Sequence, residues 1–312
     1  MNLTKRQEAE LVTAIQGRGE IPLKFSYMGE GAENWNKIAI ERTEGGGINS
    51  AEGKLLKKRL NDFVSTLDSS SGVNLVDIGC GNGYPAYPLM TELLSRGVKV
   101  TYVPMDISQE MLDLAVKNVS ADLKIESKPV LIDFESGQFS DVMYNLKQNG
   151  SVNLMVFFGS TLGNHSDLNR VLSNFRDSMT SRDYLIIGVE LTNLSKINKI
   201  ISHYDNKFAE KFVTHTLRFL GIDKYEYEVV WNEKNSQVEM RARITRPSEV
   251  SISGESFVLL EGESILLARS IKFTEHAVTK LLSDVGLRTE LLTTNEERGY
   301  LLTMVQPTRY SV

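Results

Sequence analysis

Asp77, Gly79, Gly81 and Gly83 stand at every second position of the stretch VNLVDIGCGNGY, residues 73–84. The apolar residues Val73, Leu75, Val76 and Ile78 form a short run suited to a buried strand. A strand that runs into alternating glycines is a turn where the backbone comes very close to something. Glycine has no Cβ and reaches positive φ cheaply, so its N–H groups can face a ligand. A second acid, Asp106, closes the apolar run 98–105 (VKVTYVPM), and a third, Asp133, closes the run 129–132. A carboxylate at the end of a second strand accepts hydrogen bonds from both ribose hydroxyls of a nucleoside. The chemistry on offer is nucleoside binding.

The spacing selects the nucleoside. A dinucleotide fingerprint is G-x-G-x-x-G. Here the order is Asp77-x-Gly79-x-Gly81-x-Gly83, with an acid two residues before the first glycine. That form resembles motif I of class I S-adenosylmethionine (SAM) methyltransferases. SAM carries a sulfonium and an amino group but no phosphate, so a carboxylate beside the loop suits it. In such a site Asp133 meets the adenine amino group while the ring of Phe134 packs on its face. A glycine-rich turn without a ligand is the bland alternative, and the later acids weigh against it.

The elements that must hold these residues are legible in the periodicity. Runs at 73–78, 98–105, 129–132, 152–157 and 184–190 predict five strands, alternating with helices such as the one marked by Leu89, Met90, Leu93 and Leu94. That alternation predicts an α/β fold, a Rossmann-like doubly wound parallel sheet. Ligands bind at the carboxyl ends of such strands, where the glycine loop, Asp106, Asp133 and residues 158–164 fall. A helix over 275–285 with Gly286 as its cap, then strands over 288–294 and 300–306, supply the antiparallel closing pair usual for a SAM methyltransferase sheet. Upstream, residues 4–15 predict a helix, and Ser50 caps another with Leu55, Leu56, Phe63 and Val64 on one face and Lys54, Lys57, Lys58 and Arg59 on its solvated side.

Residues 21–40 carry Phe25, Tyr27 and Trp35 around a Gly29-Glu30-Gly31 turn, and suit a core, a pocket wall or a dimer surface. Three glycines, 45–47, mark a boundary. Between the fifth strand and the 275–285 helix, helical runs at 194–204 and 207–220 precede strand-like runs at 225–231, 238–244, 256–260 and 264–273. They predict an inserted α+β substrate-binding domain over the carboxyl edge of the sheet, building the acceptor pocket. The expected division is a SAM-binding domain of 48–191 plus 274–312 and a substrate-binding domain of 1–47 plus 192–273.

Composition bounds the partners. The 312 residues are 41% hydrophobic and 24% charged, ordinary for a soluble globular protein. A net charge of −5 argues against nucleic acid, whose phosphates want a basic surface. The single cysteine, Cys80, rules out a disulfide within the chain and a cysteine-cluster metal site, and it reads as a small packing residue. No metal is expected. No apolar run has transmembrane length, and residues 1–18 are too polar for a signal peptide, so the expectation is a cytoplasmic protein off the membrane. The oligomeric state stays open.

More specific stretches carry a closer resemblance: FFGSTLGN (157–164), YVPMDIS (102–108), HYDN (203–206), the EM of VEMRARI (Glu239, Met240), RSIKF (269–273) and the N-terminal FSYMGEGAENW. In this order, over nearly the whole chain, they resemble the SAM-dependent histidine-specific methyltransferases of ergothioneine biosynthesis and their fungal relatives acting on tryptophan-derived amines. The resemblance implies that Phe158, Gly159 and Ser160 join Gly79, Gly81, Gly83, Asp106, Asp133 and Phe134 in holding SAM. It implies that Asn164 holds the acceptor's α-amino group with Tyr27 beside it, that Tyr204 binds its carboxylate, and that Met240 and Ser270 line the side-chain pocket.

Two departures touch specificity. Histidine-specific members carry a glutamate two residues before that serine, and here the position is Ala268. They also carry a tyrosine before the first core helix, where this chain has Gly46-Gly47-Ile48-Asn49. An imidazole without its acid loses a charge-assisted partner, so Ala268 and Met240 better suit an indole, a phenol or another bulky side chain. The expected activity is N-methylation of the α-amino group of an amino acid, aromatic in type. Asn164 and Tyr27 would orient the amine's lone pair, and rate would come from proximity and alignment. No general base is assigned, and His165 and His203 are expected as helix-start or surface residues. Two alternatives remain: a tailoring enzyme for an amine that is not an amino acid, for which Tyr204 would be superfluous, and a non-catalytic SAM-binding protein.

Overall fold

The computed structural model describes residues 3–43, 50–67, 71–147, 150–192, 194–252 and 254–308. The chain divides into two compact units, one of residues 1–38 and 193–272, the other of residues 39–192 and 273–312. The expected boundary at 47/48, the three glycines and the 46–49 departure lie outside the described residues.

The larger unit is built on β1 (Val73–Ile78), β2 (Val100–Asp106), β3 (Glu126–Ser127), β4 (Val130–Leu131), β5 (Val152–Phe157) and β6 (Tyr184–Glu190). The chain leaves it for β7 (Tyr225–Asn232), β8 (Gln237–Ile244), β9 (Ser248–Ile252), β10 (Glu255–Leu259) and β11 (Ser264–Ile271). It returns with β12 (Leu287–Thr294) and β13 (Tyr300–Pro307). The large sheet runs β12-β13-β6-β5-β1-β2-β3, with β4 also on β2. Its first six strands are parallel, and β13 and β12 close it antiparallel. Every residue of β1, β2 and β5 is buried, as expected of parallel strands covered on both faces. The helices Ala51–Ser65, Tyr87–Ser95 and Gln109–Asp122 supply that cover with Leu56, Phe63, Leu89, Met90, Leu93 and Ala115. Ser50, as the sequence predicts, caps the first of them, and Ser108 caps the last. The third expected strand shrinks to two-residue pairs on β2, interrupted at Pro129, which has no N–H to give a ladder.

The smaller unit holds the antiparallel sheet β11-β8-β7 and the hairpin β9-β10. Its core joins Leu11 and Ile15 of the helix Lys5–Arg18 to Phe25, Phe212, Leu217, Met240 and Ala268. Two expectations change here. The strand β9 was not foreseen: it is five residues long and starts directly after Pro247. The Gly29-Glu30-Gly31 turn is a helix start instead. Gly29 has φ of 59°, and Glu30 opens the helix Glu30–Thr43. Gly31 lies within its first turn because a Cβ there would come 1.9 Å from the Ser26 carbonyl oxygen. Among the described residues no helix is long and apolar enough to cross a membrane.

Candidate active site

The glycine loop leaves β1 with Gly79, Gly81 and Gly83 all at positive φ, 62°, 54° and 78°. The N–H groups of Gly79 and Cys80 donate to the Met105 carbonyl at 2.8 and 3.2 Å, which pins the loop over the end of β2. A Cβ on Gly79 would lie 3.8 Å from the ring of Phe134 and 4.0 Å from Phe157 and Thr161. The loop, the turn after Asp133 and the turn after β5 therefore converge there. Asp106, last residue of β2, is 6% exposed and accepts the Ser108 N–H at 3.0 Å. Burial pushes its carboxyl up to about 6, and the N–H groups of Ser108, Gly81 and Ile107 oppose the rise. Asp133 is half-buried and accepts the Glu135 N–H at 3.1 Å. Phe134 packs edge-on to Phe157, with centroids 5.6 Å apart. An acceptor at the end of β2, a loop uncovered by Cβ atoms and an aromatic edge beside it fit the nucleoside of SAM.

Asp77 is held under the loop. It is 3% exposed, and the Tyr102 hydroxyl donates to its Oδ2 at 2.9 Å, so it ties β1 to β2 beneath the loop. Burial drives its carboxyl well above the usual range; the Tyr102 bond opposes this, while Asp106 and Glu52 add to it.

The turn after β5 is organised by a carboxylate the sequence analysis passed over. The ring of Phe158 lies in the hydrophobic core, and its carbonyl accepts the Thr161 hydroxyl at 2.7 Å. Gly159 has φ of 74°, and Ser160, which carries a side chain, has φ of 56°. The Gly159 N–H donates to both oxygens of Glu52, at 3.1 and 2.9 Å. The Tyr300 hydroxyl donates to Glu52 Oε1 at 2.5 Å and accepts from Ser160 Oγ at 3.2 Å. Glu52 is 6% exposed. Burial pushes its carboxyl up to about 7 against the Tyr300 and Gly159 bonds. Gly188 makes room for it: a Cβ there would come 1.9 Å from Glu52 Oε1. The one signal in the sequence was helical spacing, since Glu52 shares the i, i+3, i+4 stripe of Leu55 and Leu56.

Asn164 ends the 3-10 turn Thr161–Asn164 and is half-buried. His165 corrects its expectation. It is 7% exposed, stacked on Phe157 at 6.0 Å, with Nδ1 3.1 Å from Glu135 Oε1. The helix start lies further on, capped by Asp167, which leaves His165 under the turn. Its Nε2 is buried without a hydrogen-bond partner. His203 is on the surface, as expected.

The remaining expected residues belong to the smaller unit. Met240 and Ala268 are paired across β8 and β11, at 4% and 5% exposed. Ser270 follows on the same face of β11 and is also buried. Tyr27, half-buried, sets its ring 5.0 Å from Phe212 and 6.3 Å from Trp35. The Tyr204 hydroxyl donates to Ser270 Oγ at 2.9 Å. Lys272, 2% exposed, donates from Nζ to Tyr204 Oη at 2.8 Å and to Ser270 Oγ at 2.9 Å. Lys272 belongs to the RSIKF stretch, where its spacing alone signalled no role. A buried ammonium beside two hydroxyls is a set of groups that accepts an anion.

The sequence pattern of the family described as histidine-specific methyltransferase, SAM-dependent, matches residues 7–307. The N-methyltransferase imqF of Aspergillus flavus is 26% identical over 80% of this chain and 71% of its own. The 4-dimethylallyltryptophan N-methyltransferase easF of Claviceps fusiformis is 21% identical over 88% of this chain and 84% of its own. Among solved structures, the CMeT domain of the citrinin polyketide synthase superposes with a TM-score of 0.52 at 14% identity, over 97% of this chain and 65% of that one, a likeness of fold. The non-catalytic alternative falls with these matches: the chain belongs to the SAM-dependent, histidine-specific methyltransferase family, and it is a methyltransferase that uses S-adenosyl-L-methionine.

Proposed function

We propose that the enzyme methylates the α-amino nitrogen of an aromatic amino acid. The observation that carries this reading is the cluster of Lys272, Tyr204 and Ser270 next to the apolar pair Met240 and Ala268. The cluster offers a cation and two hydroxyls to a carboxylate. Two residues back on the same strand face, Ala268 offers a methyl group where histidine recognition calls for an acid. An indole or phenol loses little there, whereas an imidazolium would be desolvated without a counter-charge. The tryptophan-derived substrate in the name of the easF relative supports the same preference.

When bound, S-adenosyl-L-methionine supplies a methyl group on its sulfonium. The chain's part is to hold and to orient. Asp106 and Asp133 hold the nucleoside, with Phe134 and the glycine loop around it. Tyr204, Ser270 and Lys272 fix the acceptor's carboxylate. Asn164 and Tyr27 direct the amine's lone pair. Most of the acceleration comes from that alignment.

The test is turnover of SAM against histidine, tryptophan, tyrosine, phenylalanine and their decarboxylated amines, with products weighed by mass spectrometry. Methylation of an aromatic amino acid but not of its amine is expected. Methylation of the amines alone moves the assignment to tailoring of amines that are not amino acids.

A further inference from the structure

Methyl transfer to nitrogen consumes a neutral amine, yet an amino acid's α-amino group reaches the enzyme as an ammonium near neutral pH. One proton must leave the acceptor in each turnover, and the expected site residues include no base to take it. The turn after β5 contains a path. Ser160 Oγ donates to Tyr300 Oη at 3.2 Å, and Tyr300 Oη donates to Glu52 Oε1 at 2.5 Å. Both donations run the same way, from half-buried Ser160 to a carboxylate that is 6% exposed.

We propose that Glu52 is the terminal proton acceptor of the reaction, reached through Tyr300 and Ser160. This rests on the reading of the acceptor as an amine. The ammonium gives a proton to Ser160 Oγ while the Ser160 hydroxyl proton moves to Tyr300 Oη and the Tyr300 proton moves to Glu52 Oε1. The amine keeps its electron pair for the new C–N bond, and Glu52 ends as the neutral acid. After product release the proton returns to solvent by the same route. Ser160 is the member that meets the acceptor; Tyr300 and Glu52 act through it and are positioning residues for it.

The surroundings suit this role. Glu52 is the second residue of the helix Ala51–Ser65, where the helix dipole favours the carboxylate form. The Gly159 N–H holds both of its oxygens. Burial counters these and leaves a proton affinity near neutrality, where a base is most effective. The same Gly159 bond and the Ser160–Tyr300 bond hold the turn at positive φ, at a position where a serine pays a steric penalty. Gly188 keeps the space open. Among the described residues, Asp77, near the end of β1, and Glu190, paired with Tyr300 across β6 and β13, also face the chain.

Two measurements on the full chain test the proposal. Infrared titration of the wild type against Glu52→Gln is expected to show one carboxyl C=O band that titrates near neutral pH and is missing in the variant. Its absence overturns the proposal, whatever the acceptor is. In single-turnover methyl transfer, Glu52→Gln is expected to lose about 100-fold at pH 7, narrowing to about threefold at pH 9.5, where the acceptor arrives as free amine. Tyr300→Phe should follow the same profile, and Glu52→Asp should recover part of the loss. A loss equal at every pH, or none, overturns the relay. A wild type inactive toward every amine removes the amine reading instead, and the infrared band still decides whether Glu52 takes a proton.

Discussion

Met240 and Ala268 are direct partners on the neighbouring antiparallel strands β8 and β11, and both side chains are buried. On the proposed reading the pair is the apolar wall where an acid at 268 would stand beside the acceptor's side chain. Ala268→Glu is therefore expected to raise the kcat/KM ratio of histidine over tryptophan by about tenfold or more, the worth of one charge-assisted bond. The same change buries a carboxylate and should lower the melting temperature. Competition assays with both amino acids in one tube read the ratio directly, and an unchanged ratio removes the specificity assigned to this position.

On the proposed reading, Lys272 separates an amino acid from its amine. Its ammonium donates to Tyr204 and Ser270 from a position that is 2% exposed. Lys272→Met keeps the length and removes the charge. KM for the amino acid should rise about 10- to 100-fold, equivalent to about 1.5–3 kcal/mol for a charged hydrogen bond, while KM for the decarboxylated amine stays within about twofold. Equal effects on both acceptors would mean that the lysine only supports the fold.

Glu52 carries a stability cost that depends on pH. Its folded carboxyl is pushed up to about 7 from 4.5, so between those values the folded state binds more protons than the unfolded one. Stability then falls as pH rises through that window, by about 3 kcal/mol in total, and is regained on acidification. Asp106, raised to about 6, adds a fall of the same sign at lower pH. Denaturant unfolding of Glu52→Gln should show the upper part of that slope flattened and a variant more stable than wild type at pH 8. A variant with the wild-type slope would place the carboxyl's titration elsewhere.

His165 has a buried Nε2 without a hydrogen-bond partner, under a ring stack with Phe157. Its Nδ1 partner Glu135 keeps access to water, with 31% of its side chain exposed. His165→Phe removes the orphaned nitrogen and keeps the aromatic shape. Folding stability should hold or rise by about 1 kcal/mol, since an unsatisfied buried group costs about 1–3 kcal/mol. A marked loss of stability or of SAM affinity would show that Nε2 has a polar partner in solution.

The strands and caps were legible because their signals are local. β1, β5 and β6 follow from apolar runs, and Ser50 and Ser108 from their positions ahead of helical stripes. β9 was not legible, because five residues beside a proline carry too little pattern to separate strand from loop. His165 was misjudged because its surroundings come from two other stretches of chain, Phe134 with Glu135 and Phe157. The bond that buries Asp77 was not legible for the same reason: its partner Tyr102 lies on another strand.

By itself the sequence determined the parallel sheet, the glycine loop with Asp106 at the end of the next strand, and the family. Hydrophobic period, glycine spacing and motif order are properties of neighbouring residues and survive without coordinates. The tertiary structure alone decided what surrounds the charged groups. It sealed Glu52 against Gly159 and Tyr300, the latter 248 positions away, and set Lys272 against Tyr204 across 68 positions. Charge type along a chain predicts solvent exposure. Whether a particular carboxylate or ammonium is buried, and what it then does to a proton or an anion, depends on partners that only folding brings within hydrogen-bond reach.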